Sequence, residues 1–496
     1  MTSPLIAETG AAPDALGHPA ALSTLFFAEM WERFSYYGMR ALLTLFMIAP
    51  IADGGLGFAT ADAARAYGNY TMAVYMLPIA GGFLADNWLG ARRAVLIGGI
   101  VIALGHFTLA AHGLTSFAAG LILIALGTGL LKPSISAMVG ALYSRDDPRR
   151  DAGFSIFYLG VNLGAFIAPL MTGYLAQSAS FKSWLAANGF DPLHSWHWGF
   201  GAAGVGMTLG LISFISHRGA LSAVGNAPPG AQLPLAKTAG VLLGTAVLMG
   251  LVVLSDRPGF EGVRLLFVAL PLGAIAYFAP RADLDSKRLA AVFAFFLAAM
   301  VFWALFEQAG FTLALFADQA TASTLFGFAF PSAWYQALNP LFVITLAPVF
   351  AWVWVRLGSQ QPSSAIKFTL GLAFLALSYL LMVPAAVLTV AGKVSPLWLV
   401  GLFFLQTVGE LCLSPVGLSA MTKLAPPGLV GLILGLWFLA ASFGSKIAAL
   451  LGGEFQTADP AKLAQFFGSL AGLAALATFM MLAATPWLKR LMGDVR

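Results

Sequence analysis

Residues 23–49 form an apolar run with four charges in its middle, and no other feature constrains the fold as strongly. A membrane-spanning helix needs about 20 mostly apolar residues, and each ionisable group in the hydrocarbon costs about 2.5–3.5 kcal/mol. At about 100° per residue the polar side chains of this run share one helix face. They are Glu29, Glu32, Arg33, Tyr36, Tyr37 and Arg40. Charges that share a face inside a membrane pair with one another or line a water-filled cavity, so the run predicts a substrate or ion pathway. The alternative is an amphipathic helix on the membrane surface.

The composition extends the membrane assignment to the whole chain. The 496 residues are 59% hydrophobic and 9% charged, whereas soluble domains carry about 25% charged residues. The net charge of +5 comes mainly from short loops and indicates membrane topology, not a nucleic-acid partner. The single cysteine, Cys412, excludes an intrachain disulfide and a thiolate cluster. No histidine has a ligand-like partner at helical spacing, so neither a metal nor a cofactor is expected.

Helix-length apolar runs divide the chain into two sets of six, with two plain apolar runs between them. This pattern predicts an all-α polytopic membrane protein with 14 transmembrane helices, arranged 6 + 2 + 6. The predicted segments are a cytoplasmic tail (1–22), a six-helix bundle (23–218), a linker with two extra helices (219–287), a second six-helix bundle (288–488) and a cytoplasmic tail (489–496). With the N-terminus inside, 16 Lys and Arg residues fall in inner loops and six in outer loops. This asymmetry predicts that both termini are cytoplasmic.

Three further runs carry ionisable residues far from their ends. Lys132 is next to Pro133, Glu410 precedes Pro415, and Glu307 interrupts a third run. We expect Pro133 to kink its helix and Pro415 to break the backbone hydrogen bonding of its helix, because proline has no N–H to donate. Broken helices hold the substrate sites of many secondary transporters. A lysine that snorkels to the interface is the alternative for Lys132.

The predicted interior charges nearly balance. The cations are Arg33, Arg40 and Lys132, and the carboxylates are Glu29, Glu32, Glu307 and Glu410. A carboxylate in such a cavity changes its proton occupancy with the partner that it faces. Exchange of partners between conformations would therefore move protons, which is chemistry for coupling and not for bond cleavage. Lys446 is left out of this set because it lies near a predicted outer helix end, where its ammonium group can snorkel.

Three short motifs contain many of these residues. Residues 29–38 match the pattern E-x-x-E-R-F-x-Y-Y-G, and residues 157–164 match F-Y-x-x-I-N-x-G with Val161 at the Ile position. Residues 82–93 are close to G-x-L-x-D-x-x-x-G-x-[RK]-[RK]. In these motifs the chain resembles the proton-dependent oligopeptide transporter (POT) family of the major facilitator superfamily. The resemblance covers nearly the whole chain, including the bacterial pattern of two extra helices, and it implies the major facilitator fold.

The resemblance also implies a function and a set of roles. The protein would be a monomeric symporter in the bacterial inner membrane that imports di- and tripeptides, with protons as the coupling ion, lipid around it and no cofactor. Arg40 and Lys132 would bind the peptide carboxylate, and Glu410 would bind the amino group with Asn162 and Asn339. Other side chains would line the pocket, namely Ser414, Tyr36, Tyr37, Tyr75, Trp303, Trp334 and Trp437.

Further roles concern protons and gating. Glu29, Glu32 and Arg33 would handle protons together with Lys132. Glu307 would also take part in proton coupling: it would pair with Arg40 when no peptide is bound, and its protonation would free Arg40 for the substrate. Asp86 would form a cytoplasmic charge clasp with the two following basic residues, Arg92 and Arg93; a plain topology signal is the alternative. Animal members of the family carry a histidine early in the second helix. This chain has none there, so proton coupling would rest on the carboxylates.

Three other functions are open at this stage. The same fold could carry nitrate or another organic anion, but a lone anion has no use for a buried carboxylate such as Glu410. A membrane enzyme would need a nucleophile, a metal cluster or a cofactor loop, and the sequence offers no such set. A channel would be built from rings of identical groups, whereas the charges here differ between the two halves.

Overall fold

The structure is a computed structural model. It describes residues 17–144, 147–222, 224–228, 230–231, 233–269, 273, 286–424 and 430–492. Most of these residues are helical. The α-helices are Ala20–Ile48 (α1), Thr60–Leu84 (α2), Ala91–Leu109 (α3), Leu114–Ala141 (α4), Arg150–Gln177 (α5), Ala179–Ala187 (α6), Ser195–Ser216 (α7), Leu235–Leu254 (α8), Ser286–Phe306 (α9), Thr312–Gln319 (α10), Leu338–Leu357 (α11), Ser364–Leu388 (α12), Leu397–Leu424 (α13), Val430–Gly452 (α14) and Pro460–Met492 (α15).

The lengths of these helices confirm the polytopic membrane fold. Eleven helical segments among the described residues are long and apolar enough to cross a membrane. Helices α1 and α2, with 29 and 25 residues, also have the necessary length at 1.5 Å per residue, but both contain charged residues. The second predicted extra helix lies partly outside the described residues, so the count of 14 stays a prediction. Helix α1 begins at Ala20, three residues before the predicted start.

The expectation that Pro415 breaks its helix is wrong, whereas the expected kink at Pro133 stays a prediction. Pro133 lies inside α4 and Pro415 lies inside α13, and each helix runs on past its proline. Proline is tolerated in membrane helices because neighbouring groups and small local adjustments satisfy the freed backbone carbonyls.

The helix break occurs instead at Glu307, in a run that the sequence predicts to be one helix from 288 to 317. Helix α9 ends at Phe306, a 3₁₀ turn covers Glu307–Gly310, and α10 begins at Thr312. Side chains bind the carbonyl groups that this change frees. Thr44 donates to the Gly310 carbonyl oxygen at 2.7 Å, and Gln336 donates to that of Ala309 at 2.6 Å.

The described chain divides into two compact units that are interleaved along the sequence. Unit 1 comprises residues 1–37, 77–165 and 201–243, and unit 2 comprises residues 38–76, 166–200 and 244–496. In unit 1, α3 and α4 approach closely at two glycine pairs, Gly98 with Gly127 and Gly105 with Gly120. Small residues at such positions let membrane helices pack backbone to backbone. The predicted domain boundaries stay predictions.

In unit 2, α12 packs against both α13 and α15, and α9 packs against α14. Gly371 and Gly409 bring α12 and α13 close together. Unit 2 also contains a small antiparallel hairpin, Thr324–Leu325 with Phe328–Ala329. Phe326 and Gly327 at its tip have φ values of 50° and 81°. Positive φ at both central residues is the geometry of the two-residue turns that suit hairpin twist.

Candidate functional site

Unit 1 holds a cluster of charges on α1. Glu29, Glu32 and Arg33 are only 5%, 1% and 6% exposed. The Arg33 Nε atom lies 3.0 Å from Glu29 Oε1 and 2.5 Å from Glu32 Oε2. Lys132 on α4 is near enough for its charge to act on the Glu29 carboxylate. The structure therefore brings together four of the five residues that the sequence assigns to proton handling, and it buries three of them as an ion-paired set.

Aromatic rings border this cluster. The Arg33 guanidinium group lies over the Tyr36 ring, 5.6 Å from its centroid. Tyr36 and Tyr37 make an edge-to-face pair with centroids 5.1 Å apart. Such pairs add attraction beyond the area that they bury. Both tyrosines thus lie next to the charges, as their positions on one helix face predict.

The second motif of the sequence packs α5 against α1 within unit 1. A methyl group at Gly164 would overlap the Met30 carbonyl oxygen, and one at Gly160 would crowd the Phe26 ring. Asn162, between these glycines, is 7% exposed and donates from Nδ2 to the Tyr158 carbonyl oxygen at 2.9 Å. The motif therefore has a packing role that its sequence alone does not indicate.

Unit 2 contains an ion pair between Arg40 and Glu307, which are 8% and 4% exposed. The Nη2 atom of Arg40 donates to Glu307 Oε2, and its Nε atom donates to the Tyr67 hydroxyl at 2.8 Å. The ion pair is predicted from the sequence, whereas the contact with Tyr67 is not. Tyr67 lies in the early part of α2, the stretch in which this chain has no histidine.

The 3₁₀ turn at Glu307–Gly310 positions this ion pair. It turns the chain directly at Glu307, and the hydrogen bonds from Thr44 and Gln336 hold its carbonyls. A side chain at Gly310 would overlap the Tyr67 hydroxyl group. Glycine is thus required there for the approach of α2.

The Glu410 carboxylate in unit 2 is held by an amide. Asn339 on α11 donates from Nδ2 to Glu410 Oε2 at 2.9 Å and to Thr407 Oγ1 at 3.0 Å. Glu410 is partly exposed, and Glu307 is near enough for its charge to act on it. Unit 2 therefore combines an ion-paired arginine with a partly accessible carboxylate.

The remaining predicted lining residues have mixed surroundings within unit 2. Tyr75, Trp303 and Ser414 are partly exposed. Trp334 donates from Nε1 to the Leu170 carbonyl oxygen at 3.0 Å and stacks on Phe330 near the hairpin.

Trp437 is a core residue of unit 2. It is 5% exposed and packs edge-on against Phe368.

Two other sequence expectations differ from what the structure shows. The Asp86 carboxylate is exposed, and among the described residues it has no ion pair with Arg92 or Arg93. The Arg92 backbone N–H instead donates to the Gly225 carbonyl oxygen at 2.8 Å, because the linker segment folds back onto the start of α3. The clasp is therefore not formed within the described residues, and its role in gating stays a prediction.

Lys446 does not snorkel to the surface. It is 0% exposed, and its ammonium nitrogen lies 2.6 Å from Asp256 Oδ2 and 2.5 Å from Asn69 Oδ1. The segment that follows extra helix α8 supplies the counterion, which the plain apolar sequence of that helix does not indicate.

Long apolar helices with ion pairs buried among them define a polytopic membrane protein with an internal charged site. The sequence profile of the POT family matches residues 92–463. The chain is 40% identical to the peptide transporter YePEPT of Yersinia enterocolitica over 97% of this chain and 96% of that protein. It is 38% identical to the di-/tripeptide transporter of Lactococcus lactis subsp. cremoris over 97% and 98%. The chain belongs to the POT family.

Solved structures give the same result. A mutant peptide transporter POT in complex with alafosfalin aligns with a TM-score of 0.84 and 40% identity, covering 98% of each chain. A POT family transporter in complex with 5-aminolevulinic acid aligns with a TM-score of 0.84 and 32% identity, covering 96% of this chain and 99% of that chain. The fold is therefore that of a POT transporter, and the chain is a membrane-spanning transporter.

Proposed function

We propose that this protein is a proton-coupled symporter that imports di- and tripeptides across the bacterial inner membrane by alternating access. The observation that carries the proposal is the pairing of charges in unit 2. A buried arginine is ion-paired with Glu307, and nearby Glu410 is held by Asn339. Arg40 supplies a positive group and Glu410 a negative group, and each is held by a different partner. Together they complement the two opposite charges of a zwitterion.

Peptide termini explain why such an arrangement suits many substrates. Every di- or tripeptide ends in a carboxylate and an ammonium group, whereas its side chains differ. In the proposal, Arg40 binds the carboxylate and Glu410 binds the ammonium group, because charge-assisted hydrogen bonds to ionised partners are the strong ones. Recognition then rests on the constant part of the substrate.

Proton coupling follows from competition for Arg40. While Glu307 is ionised, its carboxylate occupies the guanidinium group. A proton on Glu307 removes that negative charge and frees Arg40 for the peptide carboxylate. The Glu29, Glu32 and Arg33 set in unit 1 is the second group of proton sites in the proposal. One chain carries every residue invoked, so the single chain is the proposed transport unit, with both termini in the cytoplasm.

Uptake of labelled dialanine into proteoliposomes tests the proposal. The wild type should accumulate dialanine when an inward proton gradient is applied and should not do so without one. Other dipeptides should compete, whereas free alanine should not. Glu410→Ala should lose this uptake.

The control is the thermal unfolding temperature of each purified variant, which should stay near that of the wild type. Folded wild-type protein that takes up no dipeptide would contradict the peptide assignment. Such a result would favour another solute carried by the same fold, such as nitrate or a different organic anion.

A further inference from the structure

Lys446 is the most completely buried cation outside the proposed substrate site in the described part of the chain. Its side chain is 0% exposed, and its ion-pair partner Asp256 is 8% exposed. Asn69 binds both of them, through Oδ1 to the Lys446 ammonium group and through Nδ2 to Asp256 Oδ2 at 3.3 Å. A buried ammonium group needs such partners, because an unpaired charge in a low-dielectric interior is costly.

The three side chains of this cluster come from distant parts of the sequence. Asn69 lies on α2, Lys446 lies on α14, and Asp256 follows the last residue of extra helix α8 by two positions. All three belong to unit 2. The cluster is therefore a junction at which the extra helix meets one helix from each sequence half.

Direct contacts between α2 and α14 continue on both sides of the junction. Ser442 donates from Oγ to the Met72 carbonyl oxygen at 3.1 Å. At the other side, a methyl group on Gly68 would overlap the Ala449 side chain. Positions 442, 446 and 449 share one face of α14 at helical spacing. We call this contact between α2 and α14, at positions 442, 446 and 449 of α14, the seam. Asp256 binds Lys446 in the middle of the seam.

The turn that carries Asp256 is itself anchored. Arg264 donates from Nη2 to the Ser255 carbonyl oxygen at 3.1 Å, and Ser255 donates from Oγ to the Val252 carbonyl oxygen at 2.6 Å. The Asp256 carboxylate therefore extends from a turn that these hydrogen bonds fix at the end of α8.

We propose that Asp256 is a positioning residue through which extra helix α8 holds α2 against α14. In this role the extra helix stabilises the conformation in which α2 and α14 are in contact. When α2 and α14 separate in the transport cycle, Asp256 also separates from Lys446. This inference rests on the proposed function for its place in a cycle. The contacts of Asp256 and Lys446 between α2 and α14 are observed in the structure and do not depend on that function.

The experiment measures how often the seam opens. In a Cys412→Ala background, Ser442→Cys places a thiol on the α2-facing side of α14 at a position that is 0% exposed. The labelling rate of this thiol by a maleimide in purified, detergent-solubilised protein reports opening, whichever side of the membrane the seam faces. Asp256→Asn should raise the rate about fivefold or more, since it removes the charge that pairs with Lys446.

Two variants serve as controls for charge and position. Asp256→Glu keeps the carboxylate and should stay within about twofold of the parent rate. Asp62→Asn removes an exposed carboxylate that pairs with Arg65 on α2, and it should leave the rate unchanged. Thermal unfolding of each variant separates seam opening from loss of the fold.

Asn69→Ala provides a second variant in case Asp256→Asn does not fold. It removes the hydrogen bond from α2 and leaves the ion pair in place, so it should raise the labelling rate about twofold. An unchanged rate in both variants, with or without a lower unfolding temperature, would overturn the proposal and leave Asp256 a structural anchor only. Failure of the wild type to transport dipeptides would refute the proposed function, whereas the labelling result would stand on its own.

Discussion

At the scale of single residues, the position of the Glu410 carboxylate depends on its hydrogen bond from the Asn339 amide. Asn339→Ala removes the hydrogen bond to the carboxylate and should raise the apparent KM for dialanine about tenfold or more, because a hydrogen bond to a charged group contributes about 1.5–3 kcal/mol. Uptake kinetics in proteoliposomes measure this effect. Thr407→Val removes the other acceptor of the same amide and leaves Glu410 bound to it, so KM should stay within about threefold. Equal effects of both variants would contradict the assigned role.

A second residue-scale prediction concerns pH at the start of α1. Arg149 binds Asp147 through its backbone N–H and its guanidinium group, which holds the pKa of the Asp147 carboxyl below its usual value of 3.8. The same guanidinium group donates to the Gly17 carbonyl oxygen at 3.1 Å.

Because the pKa of Asp147 is lower in the folded protein, its contribution to stability is complete above the unfolded value and is lost as the pH falls through the folded value. Hydrogen exchange of residues 17–22, corrected for the intrinsic effect of pH, should therefore accelerate below about pH 4 in the wild type. In Asp147→Asn the exchange should already be fast at pH 7. Equal protection in both proteins at pH 7 would contradict this prediction.

The sequence predicts some residue contacts and misses others for a physical reason. Glu29 and Arg33 pair along one helix, so helical spacing predicts them. The partner of Lys446 is 190 positions away in sequence, and only the tertiary fold brings the two together. Burial of that lysine could not be inferred from its position near a helix end.

At the scale of elements, the contact between α1 and α5 depends on a glycine. Gly164→Ala should lower the unfolding free energy by about 1–3 kcal/mol, because the added methyl group meets backbone that cannot move aside. The thermal unfolding temperature in detergent measures the loss. Gly472→Ala in α15, where nothing lies within 4 Å of the new methyl group, should leave that temperature equal or higher because alanine favours helix. A stable Gly164→Ala variant would contradict the packing.

Helix breaks were the least predictable feature at this scale. Pro415 predicts a break in α13, yet that helix continues. The break at Glu307 has no proline within its 3₁₀ turn, and the partners of its freed carbonyls, Thr44 and Gln336, come from other parts of the chain. Local sequence rules describe the propensity of a segment, whereas such distant donors determine where its helix can end.

At the scale of the whole molecule, the charge asymmetry of the loops predicts orientation. In a Cys412→Ala background, Ser183→Cys and Ser144→Cys place matched thiols at two exposed positions. A membrane-impermeant maleimide added to intact cells, with the outer membrane permeabilised, should label position 183 and not position 144. Lysed cells should label both. The reverse pattern in intact cells would place the termini outside.

The most direct test of the account is made on the Arg40–Glu307 ion pair, with two transport assays on one variant. Glu307→Gln keeps the size of the side chain but removes the charge that holds Arg40 and the site that accepts a proton. We expect proton-driven accumulation of dialanine to be lost and exchange of dialanine across a preloaded membrane to persist, since exchange needs binding and movement but no net proton transfer. Accumulation at the wild-type rate would contradict proton coupling through this pair, and loss of both activities in a folded variant would contradict the separation of coupling from binding.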